Sequence, residues 1–160
     1  MAKQINKKIL FAILVFVCLV LVFAFIIEHH MGHTPCKLCL YERIPYFVST
    51  LLIIKILFIK KYNKITLLIL SFIFFSSTVL AFYHFGIEQG FFNESLACTA
   101  GDLSKTLSKE ELLENLKQNN ISCKNVSFRI LGLSLAAINT IFSLILSVIF
   151  IRLFMNYGKN

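Results

Sequence analysis

The chain has 160 residues, enough for one domain. Its composition is 58% hydrophobic with 17 Phe, which excludes an ordinary soluble globular protein. The formal charge of +8 would suit a nucleic-acid partner if the cations formed a patch. Instead they lie between long apolar runs, a pattern of membrane topology that argues against nucleic acid.

In chain order, Lys3, Lys7 and Lys8 precede an uncharged run over 9–27, long enough for the roughly 20 residues that span a hydrocarbon core. A cleaved signal peptide has a shorter apolar core and a small-x-small cleavage site, and the following EHHMGH offers none, so this segment is expected to be a retained helix. Cys18 within it reads as a small packing residue. A polar loop, EHHMGHTPCKLCLYER, covers 28–43. The second apolar run, about 44–60, is the shortest and carries Lys55 near its end. Pro45 suits its first helical position. A tight KKYNK turn at 60–64 leads into a third run at 65–85. The segment 86–129 is the sizeable polar one. Ser108 and Glu111 form a capping box ahead of Leu112, Leu113 and Leu116, which predicts a short amphipathic helix near 109–117 covering the mouth of the bundle. The sequons at Asn93 and Asn125 carry little weight. The fourth run is 130–154, with Arg152 near its end. The expected fold is a single all-α membrane domain over 1–160, a four-transmembrane-helix bundle with two outward loops.

Charge sets the expected orientation. Lys3, Lys7, Lys8, Lys60, Lys61, Lys64, Arg152 and Lys159 share one side with no acid. All eight acids lie in 28–43 and 86–129, against seven cations there. The positive-inside rule puts both termini and the 60–64 turn in the cytoplasm, with the other two loops outside. Lys55 is close enough to the cytoplasmic end to snorkel.

Four of the five cysteines fall in the outward loops: Cys36, Cys39, Cys98 and Cys123. An oxidising face favours disulfides. Cys36-Lys37-Leu38-Cys39 has the C-x-x-C spacing of redox pairs. It lies just ahead of a helix N-terminus, whose partial positive charge, with Lys37 and Arg43, favours a thiolate. The same spacing also fits a static staple. With His29, His30 and His33 upstream, it further offers an H-x-x-C-x-x-C set for zinc, although that set lacks a fourth ligand and leaves Cys98 and Cys123 unexplained. No metal is therefore expected.

The segment C-K-L-C-L-Y-E-R after a first transmembrane helix resembles the C-x-x-C-x-Y-E/Q-R motif of the DsbB family, bacterial quinone-dependent disulfide-bond formation proteins. Four helices, a second cysteine pair in the longer loop, Tyr83-His84 with Gly86 and Glu88, and Gly132-Leu133-Ser134 extend the resemblance over nearly the whole chain. In vitamin K epoxide reductase-like proteins, a related alternative, the C-x-x-C lies late in the chain.

The DsbB resemblance implies a multi-pass protein of the bacterial inner membrane that reoxidises a periplasmic thioredoxin-like DsbA-type partner and passes two electrons to ubiquinone or menaquinone. It implies disulfides Cys36–Cys39 and Cys98–Cys123, the first pair facing quinone and the second facing the partner. It places Arg43 at the quinone head group and adds His84 and Glu88 as candidate quinone-pocket residues. Of the inner pair, Cys39 is nearer the helix and is expected to carry the thiolate that meets the quinone.

Overall fold

The computed structural model describes residues 7–30, 32, 35–59, 63–93, 123, 129–130 and 132–157. Cys98, the expected amphipathic helix at 109–117, His33 and the Lys60-Lys61 pair lie outside them.

Four helices occur among the described residues: α1 (Lys7–His29), α2 (Lys37–Phe58), α3 (Asn63–Glu88) and α4 (Leu135–Asn156). Between α3 and α4 a two-residue antiparallel pair, β1 (Arg129–Ile130) and β2 (Leu133–Ser134), sets Arg129 against Ser134 and Ile130 against Leu133. The turn joining them needs Gly132, whose φ of +84° is accessible to glycine at little cost. α1, α3 and α4 are long and apolar enough to cross a membrane. α2 has 22 residues, but Lys37, Glu42, Arg43 and Lys55 interrupt its apolar character.

Two helix starts differ from the sequence-based expectation. α2 begins at Lys37 rather than near 44, so Pro45 lies inside it and not at its first position. The cause is a cap: the Cys36 side chain accepts a hydrogen bond from the Cys39 backbone N–H and satisfies an orphan donor of the first turn. From there Leu38, Glu42, Tyr46, Ser49, Ile53 and Ile56 are buried at three- and four-residue spacing, one inward stripe running from the cysteine motif into the span. α4 begins at Leu135 rather than 130, because Ser134 accepts from the Ala137 N–H and the hairpin takes up the residues before it. At its C-terminal end α3 runs to Glu88, beyond the expected 85, which puts His84 and Glu88 one turn apart on the same helix.

In lipid, apolar surface does not drive helices together, so small residues and hydrogen bonds hold the seam. α3 and α4 form the most extensive pairing. Ser71 Oγ donates to the Ser147 carbonyl (3.2 Å) and Ser147 Oγ donates to the Ser71 carbonyl (3.1 Å), a reciprocal pair that needs close backbone approach. Away from the cysteine motif, Phe74 stacks on Phe150 at 5.6 Å, and Leu10, Val17, Ile53, Leu67 and Leu70 complete a buried core drawn from all four helices. Lys55 Nζ donates to Thr66 Oγ1 at 2.6 Å, tying α2 to α3. The outer faces stay apolar, with Leu51, Phe72 and Phe82 all exposed, as a bundle surrounded by lipid requires.

Candidate functional site: a dithiol centre at the mouth of the bundle

The N-terminal end of α2 meets the C-terminal end of α3. Cys36, as N-cap, turns its sulfur onto the first turn of α2, 3.2 Å from the Cys39 N–H. Across the seam, His84 is buried, with Nε2 3.5 Å from Cys36 Sγ. Cys36 and Cys39 are free thiols in this structure, the reduced form of the expected pair. Their sulfurs and a ring nitrogen of His84 all lie within 4.8 Å of one another.

The site favours a thiolate at Cys36. Its thiol is held well below the ordinary range, first by the hydrogen bond with Cys39. Burial opposes the shift, and the hydrogen bond and electrostatic interaction with His84 reinforce it. The side chain that caps the helix belongs to Cys36.

Behind His84 runs a buried polar chain. His84 Nδ1 is 2.7 Å from Glu42 Oε1, and Glu42 Oε2 accepts from Asn139 Nδ2 at 2.6 Å. Tyr46 Oη donates to Asn139 Oδ1 at 2.5 Å, and its oxygen lies 3.1 Å from Ser143 Oγ, which in turn lies 3.2 Å from Ser77 Oγ. Three helices thus share one network around a carboxylate only 8% exposed. A buried carboxylate persists in such a place when its oxygens are paired, and both are. The Glu88 side chain is 6% exposed: its Oε1 stands 3.8 Å from His84 Nε2, its carboxyl group interacts with the Ser134 side chain, and its Oε2 has no hydrogen-bond partner among the described residues.

Four of the expected site residues, Cys36, Cys39, His84 and Glu88, therefore come together. A fifth, Cys123, is buried and packs in one apolar cluster with Cys36, Leu38 and Ile87, flanked by Cys39, Leu80 and Tyr83. Cys123 is disulfide-bonded. Arg43 lies on α2 but turns toward α1: Nη1 donates to Glu28 Oε2 at 2.5 Å, and the guanidinium sits 5.3 Å from the Phe25 ring centre. Glu42, Asn139 and Tyr46 were not singled out from the sequence. Polar residues inside apolar spans were the available signal for Asn139 and Tyr46, and the motif itself for Glu42.

Three helices long and apolar enough to cross a membrane, with a C-x-x-C pair capping a helix against a buried histidine, fit a membrane dithiol–disulfide protein. The profile of the family described as "Disulfide bond formation protein DsbB" matches residues 6–153, and the chain belongs to that family. An uncharacterized protein of Rickettsia prowazekii (strain Madrid E) is 30% identical over 161 residues, covering 99% of this chain and 93% of that one. The family carries with it disulfide oxidoreductase chemistry in general.

Proposed function

We propose that the protein is a quinone-dependent thiol oxidase of the bacterial inner membrane, which reoxidises a periplasmic DsbA-type partner and so sustains disulfide formation in exported proteins. The observation that carries this reading is the single apolar cluster holding both the Cys36 thiol and the disulfide-bonded Cys123 at one end of the bundle. Two redox pairs in mutual reach can exchange electrons, and quinones reside in the surrounding bilayer. Membership of the family, with its second cysteine pair in the longer loop, supports Cys98 as the partner of the disulfide-bonded Cys123. The four-span topology rests on α2 crossing beside the three apolar helices. Its orientation, with termini in the cytoplasm, rests on the distribution of lysines and acids.

In this reading a thiolate of the reduced partner attacks the Cys98–Cys123 disulfide, and the partner's second thiolate resolves the mixed disulfide. The partner leaves oxidised and the outer pair is left as a dithiol. That dithiol reduces the Cys36–Cys39 disulfide by the same exchange, within the apolar cluster that Cys36 shares with Cys123. The Cys36–Cys39 dithiol is then reoxidised, giving up two electrons and two protons. Quinone, when bound, accepts both. The residues present suit such a group: a sulfur stabilised as thiolate, and a guanidinium whose Nη1 is engaged by Glu28 while its other N–H groups remain to meet a head-group oxygen. His84, between Cys36 and Glu42, is placed to take the proton released at Cys36.

Trapping tests the order of the outer steps. Cys123→Ser removes the resolving thiol, so a mixed disulfide between Cys98 and a reduced thioredoxin-like partner should accumulate on a non-reducing gel. A partner crosslinked to Cys36 or Cys39 instead, with Cys98→Ser retaining full multiple-turnover activity, would reverse the assigned direction of electron flow.

A further inference from the structure

The reduced centre has the composition of a metal site as well as of a redox pair. Cys36 Sγ, Cys39 Sγ and a His84 ring nitrogen lie within 4.8 Å of one another, so three donors already converge. Zinc–sulfur bonds of about 2.3 Å and zinc–nitrogen bonds of about 2.0–2.1 Å at a tetrahedral angle put sulfur and nitrogen roughly 3.5 Å apart. The Cys36 Sγ to His84 Nε2 separation is 3.5 Å.

Two further features are those a metal centre needs. A metal-ligating histidine usually places its other ring nitrogen against a carboxylate, which fixes tautomer and orientation. Here His84 Nδ1 meets Glu42 Oε1 at 2.7 Å, and Glu42 is itself held by Asn139. Glu88 lies beside these three donors but outside their cluster, so it joins the set on a shift of its side chain: the side chain is 6% exposed, with Oε1 3.8 Å from His84 Nε2 and a buried Oε2 with no hydrogen-bond partner among the described residues. A carboxylate oxygen left unpaired in a dry site is costly, and coordination would satisfy it.

We propose that the dithiol form binds one thiophilic divalent cation, zinc being the best match, through Cys36, Cys39, His84 and Glu88, and that oxidation of the two cysteines expels it. On binding, the site gives up its remaining thiol protons and both sulfurs coordinate as thiolates. On oxidation, two electrons pass to the site's acceptor, which is quinone under the reading above. A sulfur–sulfur bond then forms, and the cation leaves as the dication because two of its four donors are gone. Metal and acceptor thus compete for the same sulfur electron pairs, and the cation inhibits only the reduced enzyme. This departs from the expectation of no metal, which weighed the upstream histidines with Cys36 and Cys39 and found no fourth ligand; His84 and Glu88 replace those histidines here. Binding itself does not depend on which acceptor the enzyme uses.

The test uses full-length Cys98→Ser/Cys123→Ser protein in detergent, so that Cys36 and Cys39 are the cysteines of the outer side. It is reduced with a phosphine that is then removed, or oxidised to the Cys36–Cys39 disulfide. Zinc alone is titrated against a chromophoric chelator, and cobalt(II) serves as a spectroscopic probe. The reduced form should bind one zinc per chain, and cobalt should give thiolate-to-metal charge transfer with tetrahedral d–d bands. The oxidised form of the same polypeptide should bind at least a hundredfold more weakly. In the reduced form, Glu42→Gln should weaken binding roughly ten- to a hundredfold through His84, and His84→Ala by more. Equal affinity in the two redox states, which binding at His29, His30 and His33 would produce, overturns the proposal. So does an octahedral cobalt spectrum without thiolate charge transfer, or an affinity unchanged by His84→Ala.

Discussion

Cys36 Sγ and His84 Nε2 face each other at 3.5 Å across the junction of α2 and α3, and the far side of the same imidazole is held by Glu42. A cysteine that caps a helix and touches a histidine anchored by a carboxylate has the elements that activate thiols elsewhere in protein chemistry.

The first consequence is a pH profile. Cys36 is held well below the ordinary thiol range by Cys39 first and by His84 after it, with burial opposing. Because the shift is downward, the thiolate is present at neutral pH and is lost only as pH falls through the lowered value. In reduced Cys98→Ser/Cys123→Ser protein, alkylation of Cys36 by iodoacetamide should stay fast at neutral pH and slow only on acidification. Adding His84→Gln should move the midpoint upward, toward the free-thiol value of about 8.5. Superimposable profiles, followed by peptide mass spectrometry, would remove His84 from thiolate stabilisation.

Glu42 should be a stability determinant as much as a site residue. Its carboxylate receives Asn139 Nδ2 and faces His84 Nδ1, so Glu42→Leu leaves two buried polar groups unpaired. Each is worth about 1–3 kcal/mol. Glu42→Leu should therefore lower the unfolding midpoint in detergent well below that of Glu42→Gln, which keeps one acceptor oxygen. Combined with Asn139→Leu, the loss should be smaller than the sum of the two single losses, because the variants remove the same bond. Strict additivity would mean that the network is not energetically coupled.

Arg43 separates binding from folding. Its ion pair with Glu28 is partly exposed, with side-chain exposures of 15% and 26%, so it contributes at most about 1 kcal/mol after screening. Arg43→Ala should shift the unfolding midpoint little. Loss of a charge-assisted hydrogen bond to the acceptor, about 1.5–3 kcal/mol, should slow quinone reduction roughly ten- to a hundredfold. Unchanged quinone kinetics would take Arg43 out of the acceptor site, leaving it as a strut between α1 and α2.

The sequence made the apolar helices and the cysteine motif readable because both signals are local: length and hydropathy for α1, α3 and α4, and spacing for Cys36 and Cys39. The start of α2 was not readable. A cysteine cap is an uncommon N-cap, and Pro45 mimicked a helix-start signal while lying inside the helix. The residues ahead of α4 are apolar enough to extend a span, yet Gly132 and the Ser134 cap turn them into a hairpin. The network joining Glu42, His84, Asn139 and Tyr46 depends on which faces of α2, α3 and α4 meet, with partners as many as 97 positions apart, and no local pattern encodes that. The contact of Cys36 with both the Cys39 N–H and His84 follows from the same side-chain geometry.

In the proposed function, electrons from a soluble dithiol leave through Cys36 and Cys39 to membrane quinone. The most direct measurement is ultraviolet detection of quinone reduction by the purified protein in detergent, supplied with a reduced thioredoxin-like partner. One quinone should be consumed per partner oxidised over many turnovers. Cys36→Ser and Cys39→Ser should reduce no quinone, although each variant would still release at most one equivalent of oxidised partner from its outer disulfide. Wild-type protein that oxidises the partner without reducing quinone, or Cys39→Ser protein that reduces quinone at the wild-type rate, would contradict that function.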